Sequence, residues 1–256
     1  PELIRRIFSI YSSGKNLEKL ISLKNEKKPS YVHLIGCGTA YHAGMLIKNF
    51  LEQKNKIRVQ TEFASEFRYR KPIINDDEVG LFISQSGETA DTLACQQLCT
   101  EKKLKTYSIV NVEGSTLYRD STENFLLYAG VEIGVASTKA FTQQVIVGYL
   151  VSKALDGALE DGETKEELES IAKAIDAILL REQEIKEIAK AIHNYNGFIF
   201  TGRGDQYPIA LEGALKLKEI AYVHAEGYAS GELKHGPIAL FDENMVNIAI
   251  VTPDLY

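Results

Sequence analysis

Two stretches of this chain are copies of one pattern. YVHLIGCGTAY at 31–41 returns as GFIFTGRGDQY at 197–207, with Gly36, Gly38 and Tyr41 matched by Gly202, Gly204 and Tyr207. EFASEFR (62–68) is echoed, with one residue inserted on each side of Ala-Ser, by EGYASGELK (226–234). DDEVGLFIS (76–84) is echoed more loosely by DENMVNIAIV (242–251), and one offset of about 166 residues (202 − 36) serves most of the matches. Self-similarity at a fixed spacing constrains the fold more than any single motif, because each copy must be a folding unit of the same kind. That unit is predicted to be α/β. Candidate strands YVHLI (31–35), IRVQ (57–60), VGLFI (79–83), TYSIVN (106–111) and FLLY (125–128) alternate with helical stretches such as YHAGMLIKNFLEQ (41–53) and ADTLACQQLCTEKK (90–103). Such alternation gives a parallel sheet with helices on both faces.

The second copy reaches only the strand equivalent to VGLFI. A sheet with an open edge is a liability, so an incomplete second subdomain is predicted, in a polypeptide that continues for several more strands and helices. The absence of an initiator Met before Pro1 fits a piece of something longer. Between the copies, Leu168, Ile171, Ile175, Ile178, Ile185, Ile188 and Ile192 recur at three-, four- and seven-residue steps. This apolar stripe predicts a connecting helix or helix pair packed on a sheet domain, with a coiled coil as the alternative. The predicted organisation is a helical lead-in at 1–30, a first subdomain at 31–155, connecting helices at 156–195 and a truncated second subdomain at 196–256.

The 256 residues carry a formal charge of −6, so no surface for a polyanion is suggested and nucleic acid is not an expected partner. No apolar run approaches a membrane span and no signal-peptide pattern opens the chain. Cys37, Cys95 and Cys99 suit a reducing cytoplasm better than a disulfide framework, and no nearby His or Asp has zinc-site spacing. Neither a metal nor an organic cofactor is predicted.

The stretch SQSGETADT (84–92) follows the greasy strand VGLFI and carries Ser84, Gln85, Ser86, Thr89 and Thr92 around Gly87, with no Lys or Arg. A plain solvent loop is one reading. The more specific one is a phosphate site of side-chain hydroxyls and backbone N–H groups at a helix start, located at the carboxyl end of a strand, where ligands of such sheets bind. Walker spacing is absent, which argues against ATP chemistry. GCGTAY (36–41) and GRGDQY (202–207) lack the third glycine of a dinucleotide fingerprint and have Tyr in its place. They read as tight strand-to-helix turns, with Gly38 and Thr39 placed to add donors beside the SQSGE loop. EIGVASTKAFTQQ (132–144) is a second polar loop entering a helix, where Ser137 or Thr138 could simply cap the helix or where Val135 backbone and Ser137 side chain could meet ligand hydroxyls. EGALKLKE (212–219) puts Glu212, Lys216 and Glu219 on one helical face. By spacing alone this is foremost a solvated ladder worth about 0.3–0.5 kcal/mol per pair. His235, in GELKHGP (231–237), sits before a Gly-Pro turn; acid–base work and an ordinary surface position are both open.

In this order, GCGTAYHAG, SQSGETADT, EIGVASTKAF, GRGDQYPIALEGALKLKEI and GELKHGPIAL resemble the sugar-isomerase (SIS) half of the glutamine–fructose-6-phosphate aminotransferase family through essentially the whole chain. The resemblance implies tandem flavodoxin-like SIS subdomains and the conversion of fructose 6-phosphate and ammonia to glucosamine 6-phosphate, without metal or cofactor. It implies that Ser84, Gln85, Ser86 and Thr89 bind the phosphate, that Val135 and Ser137 contact the sugar, and that Glu219 shuttles a proton between C1 and C2. Glu212 and Lys216 become supporting charges of that site, which reverses the reading from spacing. His235 becomes the ring-opening histidine, contributed across a homodimer. Also implied are an N-terminal glutaminase domain that supplies the ammonia and a C-terminal tail whose lysine forms an imine with the open-chain sugar; neither motif is in this chain. Ala40 stands where the family usually has a serine. A non-catalytic sugar-phosphate sensor, or another ketose–aldose isomerase or deglycase, could use the same scaffold.

Overall fold

The computed structural model describes residues 1–159 and 162–253. They form two compact units, one of Pro1–Ile133 with Thr138–Ile175, the other of Gly134–Ser137 with the chain from Asp176 onward.

In the first unit, helices α1 (Glu2–Tyr11) and α2 (Gly14–Asn25) precede five strands: β1 (Tyr31–Gly36), β2 (Arg58–Phe63), β3 (Glu78–Ser84), β4 (Lys105–Val110) and β5 (Glu123–Leu126). All pair in parallel, in the order β2-β1-β3-β4-β5. This is the flavodoxin-like order, and it requires a crossover helix between successive strands. The crossovers are α3 (Thr39–Gln53), α4 (Ala64–Tyr69), α5 (Ala90–Glu101) and α6 (Thr116–Asp120), followed by α7 (Lys139–Asp156) and α8 (Glu163–Leu179).

The central strands read as unbroken apolar runs because both their faces are covered. Side chains alternate across the sheet. Leu34, Leu81 and Ile83 enter a core with Ile4, Ile7, Tyr11, Leu20, Ile47, Val147, Leu150 and Leu168. Ile35 and Phe82 enter the opposite core with Phe67, Cys95, Cys99 and Leu117. The lead-in helices are thus part of the first core. FLLY is a strand only in part: β5 begins two residues earlier than predicted and ends at Leu126, since Tyr128 adopts φ +50° and leaves the extended region.

The second unit contains α9 (Glu182–Ile192), β6 (Gly197–Gly202), α10 (Gln206–Ala221), β7 (His224–Ala229) and β8 (Met245–Ala249), the strands parallel in the order β7-β6-β8. This repeats the order β2-β1-β3 of the first unit, and the register repeats with it. Tyr31 pairs with Arg58 and Gly197 with His224, both shifted by 166 (197 − 31 and 224 − 58). The third strand carries one extra residue, since Glu78 becomes Met245 at a shift of 167 (245 − 78). Among the described residues this sheet has three strands and a small core of Phe198, Ala214 and Ala225, with Phe200, Leu217 and Ile248 against it.

The apolar stripe between the copies forms a helix pair, α8 and α9, packed at its two ends and open in between: Ile192 lies against the core of the second unit, and Ile171 is exposed. Leu168 is buried in the core of the first unit and Ile175 lies against that core, whereas Ile178, Ile185 and Ile188 are exposed and α9 buries no residue.

Candidate functional site

In the first sheet the chain leaves β1 toward β2 on one side and leaves β3 toward β4 on the other, so the crevice at the carboxyl ends of β1 and β3 is the topological switch point where ligands of such sheets bind. Two loops flank it. The turn after β1 is tight: a Cβ on Gly36 would lie 2.9 Å from Ala40 C, and one on its repeat partner Gly202 2.1 Å from Gln206 O. Both copies therefore need glycine for the helix to start so close to the strand. Thr39 is the first residue of α3, half-buried. The turn touches the first turn of α5, which follows the neighbouring loop, through Cys37 Sγ, 3.8 Å from Thr92 Oγ1.

The loop after β3 is held by its own hydroxyls. Gly87 N–H donates to Ser84 Oγ at 3.0 Å, and Glu88 N–H to Ser86 Oγ at 3.2 Å. Each serine oxygen thus accepts inside the loop, which leaves its proton to donate elsewhere. Asn111 N–H to Gln85 O (3.2 Å) and Leu117 N–H to Gly87 O (3.0 Å) anchor the loop to the segment after β4. Ser84 is buried; Gln85, Ser86 and Thr89 are half-buried. Thr89 occupies the N-cap of α5 without a side-chain cap bond, so the first-turn N–H groups, which no α-helix satisfies internally, are not taken by it. Neutral O–H and N–H donors converging at a helix start can hold an anion and release it again.

The loop into α7 is organised by a residue that the sequence did not single out. Glu132 Oε1 accepts Thr138 N–H at 2.9 Å and Oε2 accepts Ala140 N–H at 3.1 Å, while Thr138, at the N-cap, makes no side-chain cap bond. The expected Ser or Thr cap is replaced by a carboxylate six residues upstream, which the negative charge explains by its attraction to a helix start. Val135 is 91% exposed and Ser137 half-buried.

In the second unit, α10 brings three of the predicted residues together. Lys216 Nζ lies 2.6 Å from Glu219 Oε2 and 3.3 Å from Glu212 Oε1. Glu219 Oε2 is shut off from solvent and no hydrogen bond of good alignment reaches it, so its contact with Lys216 is an ion pair held by charge. Glu212 is buried and Lys216 and Glu219 are half-buried. The spacing-only picture of a solvated ladder does not hold: Glu212 packs inward because α10 lies across β6 and β7. His235 ends a 3-10 turn, Glu232–His235, and is exposed.

Other reactive groups are structural. Burial pushes the Cys95 and Cys99 thiols up to about 12, which removes them as nucleophiles. His33, which carried no motif, is buried in β1 with Nε2 2.7 Å from Glu78 Oε2 of β3. Among the described residues no group of three His, Cys, Asp or Glu could hold a metal ion, and no helix is long and apolar enough to cross a membrane.

The family model for the SIS domain matches residues 27–154 and 191–254. The glutamine–fructose-6-phosphate aminotransferase of Bartonella quintana is 44% identical over 263 residues, covering 99% of this chain and 43% of that protein. That of Chlorobaculum tepidum is 47% identical over 233 residues, covering 89% of this chain and 38% of that protein. The chain therefore spans less than half the length of these relatives. Among solved structures, the C-terminal domain of the glucosamine–fructose-6-phosphate aminotransferase of Francisella tularensis is 42% identical with a TM-score of 0.88, covering 98% of this chain and 73% of that one. With its duplicated sheets in the same partial strand order and these matches over nearly its full length, the chain belongs to the SIS domain family, alongside the C-terminal domains of glutamine–fructose-6-phosphate aminotransferases.

Proposed function

We propose that this chain is the isomerase part of an enzyme that converts fructose 6-phosphate and glutamine-derived ammonia to glucosamine 6-phosphate. The phosphate is held by Ser84, Gln85, Ser86 and Thr89, with Thr39 beside them, and the sugar hydroxyls meet Val135 backbone and Ser137. Once the ring is opened by His235 and ammonia has replaced the C2 carbonyl oxygen with loss of water, Glu219 takes a proton from C1 and returns one to C2. The ketose skeleton thereby becomes the 2-amino aldose. Lys216 directs the carboxylate and shares its charge between Glu219 and Glu212. Binding the phosphate far from the reacting carbons orients the sugar without hindering the chemistry.

The observation that carries this reading is the 2.6 Å Lys216–Glu219 pair on a half-buried helix face. A sugar-phosphate sensor needs the loop but has no use for such a carboxylate. The proposal extends to a cytoplasmic homodimer in which His235 serves the neighbouring subunit's site, and to a glutaminase domain in the same polypeptide. The relatives' names support the reading, since each is a glutamine–fructose-6-phosphate aminotransferase. The test is formation of glucosamine 6-phosphate from fructose 6-phosphate and glutamine by the full-length polypeptide. Binding of fructose 6-phosphate without turnover would support the sensor instead.

A further inference from the structure

Glu88 is out of place by charge. It lies between Ser86 and Thr89, in a loop whose other groups suit an anion, and it is exposed. A carboxylate there opposes a bound phosphate. Its side chain, however, has a specific partner: Oε1 accepts the N–H of Thr116 at 2.8 Å. Thr116 is the first residue of α6, so this N–H has no acceptor within its own helix. The bond completes a set. Asn111 N–H binds Gln85 O, Leu117 N–H binds Gly87 O, and Thr116 N–H binds Glu88. The first two reach backbone carbonyls and survive any side-chain change; the third depends on Glu88 alone. The Thr116 backbone and side-chain hydrogen bonds hold the Glu88 carboxyl below the usual carboxylate range, so it accepts as the anion. Next to Thr116 in the same segment, Ser115 Oγ, buried and without a hydrogen-bond partner, lies against Gly87.

We propose that Glu88 is a positioning residue for the sugar-phosphate site: by gripping Thr116 N–H it fixes the loop in the shape that presents the Ser84, Ser86 and Thr89 donors, while its charge keeps the phosphate releasable. This rests on the function proposed above. The two effects have opposite signs, and that separates them. Glu88→Gln keeps an acceptor oxygen and removes the charge. Glu88→Ala removes both. Thr116→Pro removes the N–H from the other side, at a first helical position where proline is well tolerated and after a Ser115 already extended at φ −63°, ψ 164°.

The experiment measures kcat and KM for fructose 6-phosphate in the full-length polypeptide. Glu88→Ala and Thr116→Pro should each raise KM about tenfold with kcat little changed, as expected for one lost charge-assisted hydrogen bond that touches no reacting atom. The double variant should be no worse than either alone, because both remove the same bond. Glu88→Gln should keep the wild-type KM or lower it. An unchanged KM in Glu88→Ala, additive losses in the double variant, or a loss confined to kcat would each overturn the proposal. If the wild-type protein neither binds nor converts fructose 6-phosphate, the proposed function fails on its own. Amide hydrogen exchange at residues 85–89 then decides the loop-fixing role: it should accelerate in Glu88→Ala and Thr116→Pro and not in Glu88→Gln, and equal exchange in all four proteins would overturn it.

Discussion

Lys216 and Glu219 stand three residues apart on α10 with their charged atoms 2.6 Å apart, on a helix face where neither is fully solvated. An exposed pair at this spacing would contribute little. Here the contact holds Glu219 Oε2, which is shut off from solvent, and so fixes the direction of the carboxylate, as a proton-transfer base would require before its substrate arrives.

Replacing Glu219 therefore tests chemistry more than folding. Glu219→Gln preserves shape and removes the proposed base. Turnover of fructose 6-phosphate should fall by about 10²–10⁴-fold while the affinity for the sugar phosphate stays within a few-fold of wild type. Near-normal turnover would return the trio on α10 to a structural ion pair.

Ser86 tests the proposed phosphate end of the site. Its oxygen accepts Glu88 N–H at 3.2 Å and its proton remains available. Ser86→Ala removes one donor to a charged ligand and leaves an exposed N–H that water can satisfy. The expected result is a rise of about tenfold in the dissociation constant for fructose 6-phosphate with an unchanged melting temperature. An unchanged affinity would take the loop out of the site.

How much of this was readable in the sequence differs by kind of contact. The duplication was plain because it is written in local order: strand, glycine turn, helix. The 166-residue shift recurs as sheet register. The loop after β3 was readable for the same reason, since its hydroxyls are neighbours in sequence. Contacts that need the sheet were not readable. His33 and Glu78 lie 45 residues apart and meet only because β1 pairs with β3. Burial of Glu212 could not be inferred from i, i+4 spacing, which is the same on a solvated helix as on a packed one. The isoleucine stripe was readable only in part: periodicity marks an apolar face but not how much of it is covered among the described residues, and Leu168, Ile175 and Ile192 are packed whereas Ile171, Ile178, Ile185 and Ile188 are exposed. Glu132 went unnoticed because a cap six residues upstream belongs to no local capping pattern.

The buried His33–Glu78 pair gives a pH prediction. Burial pushes the Glu78 carboxyl up, but hydrogen bonds from His33 and from Asn75, the latter at 2.6 Å, outweigh it and hold the group below its ordinary value of 4.5. A carboxyl lowered by folding stabilises the native state fully above its unfolded pKa, and that contribution disappears as pH falls through the lower folded value. Glu78→Gln should thus cost about 1–3 kcal/mol near pH 7 and flatten the loss of stability below about pH 5. Urea midpoints measured across pH 3–7 for the two proteins check this; parallel acid limbs would mean that Glu78 is not a linked group.

Gly87 joins backbone geometry to binding. It adopts φ +69°, and a Cβ there would lie 2.1 Å from Ser115 Oγ and 2.9 Å from Val110 Cγ2. Gly87→Ala therefore meets two obstacles. The left-handed conformation costs an alanine about 1–2 kcal/mol, and the overlap pushes the loop off the segment to which Gly87 O is hydrogen-bonded by Leu117 N–H. Both stability and sugar-phosphate affinity should drop together. Combining it with Ser115→Gly removes the main obstruction but leaves the backbone strain. The double variant should then recover part of the affinity lost by Gly87→Ala while remaining less stable than wild type, as followed by thermal unfolding and fructose 6-phosphate titration. If Gly87→Ala alone binds normally, the loop does not need the shape described here.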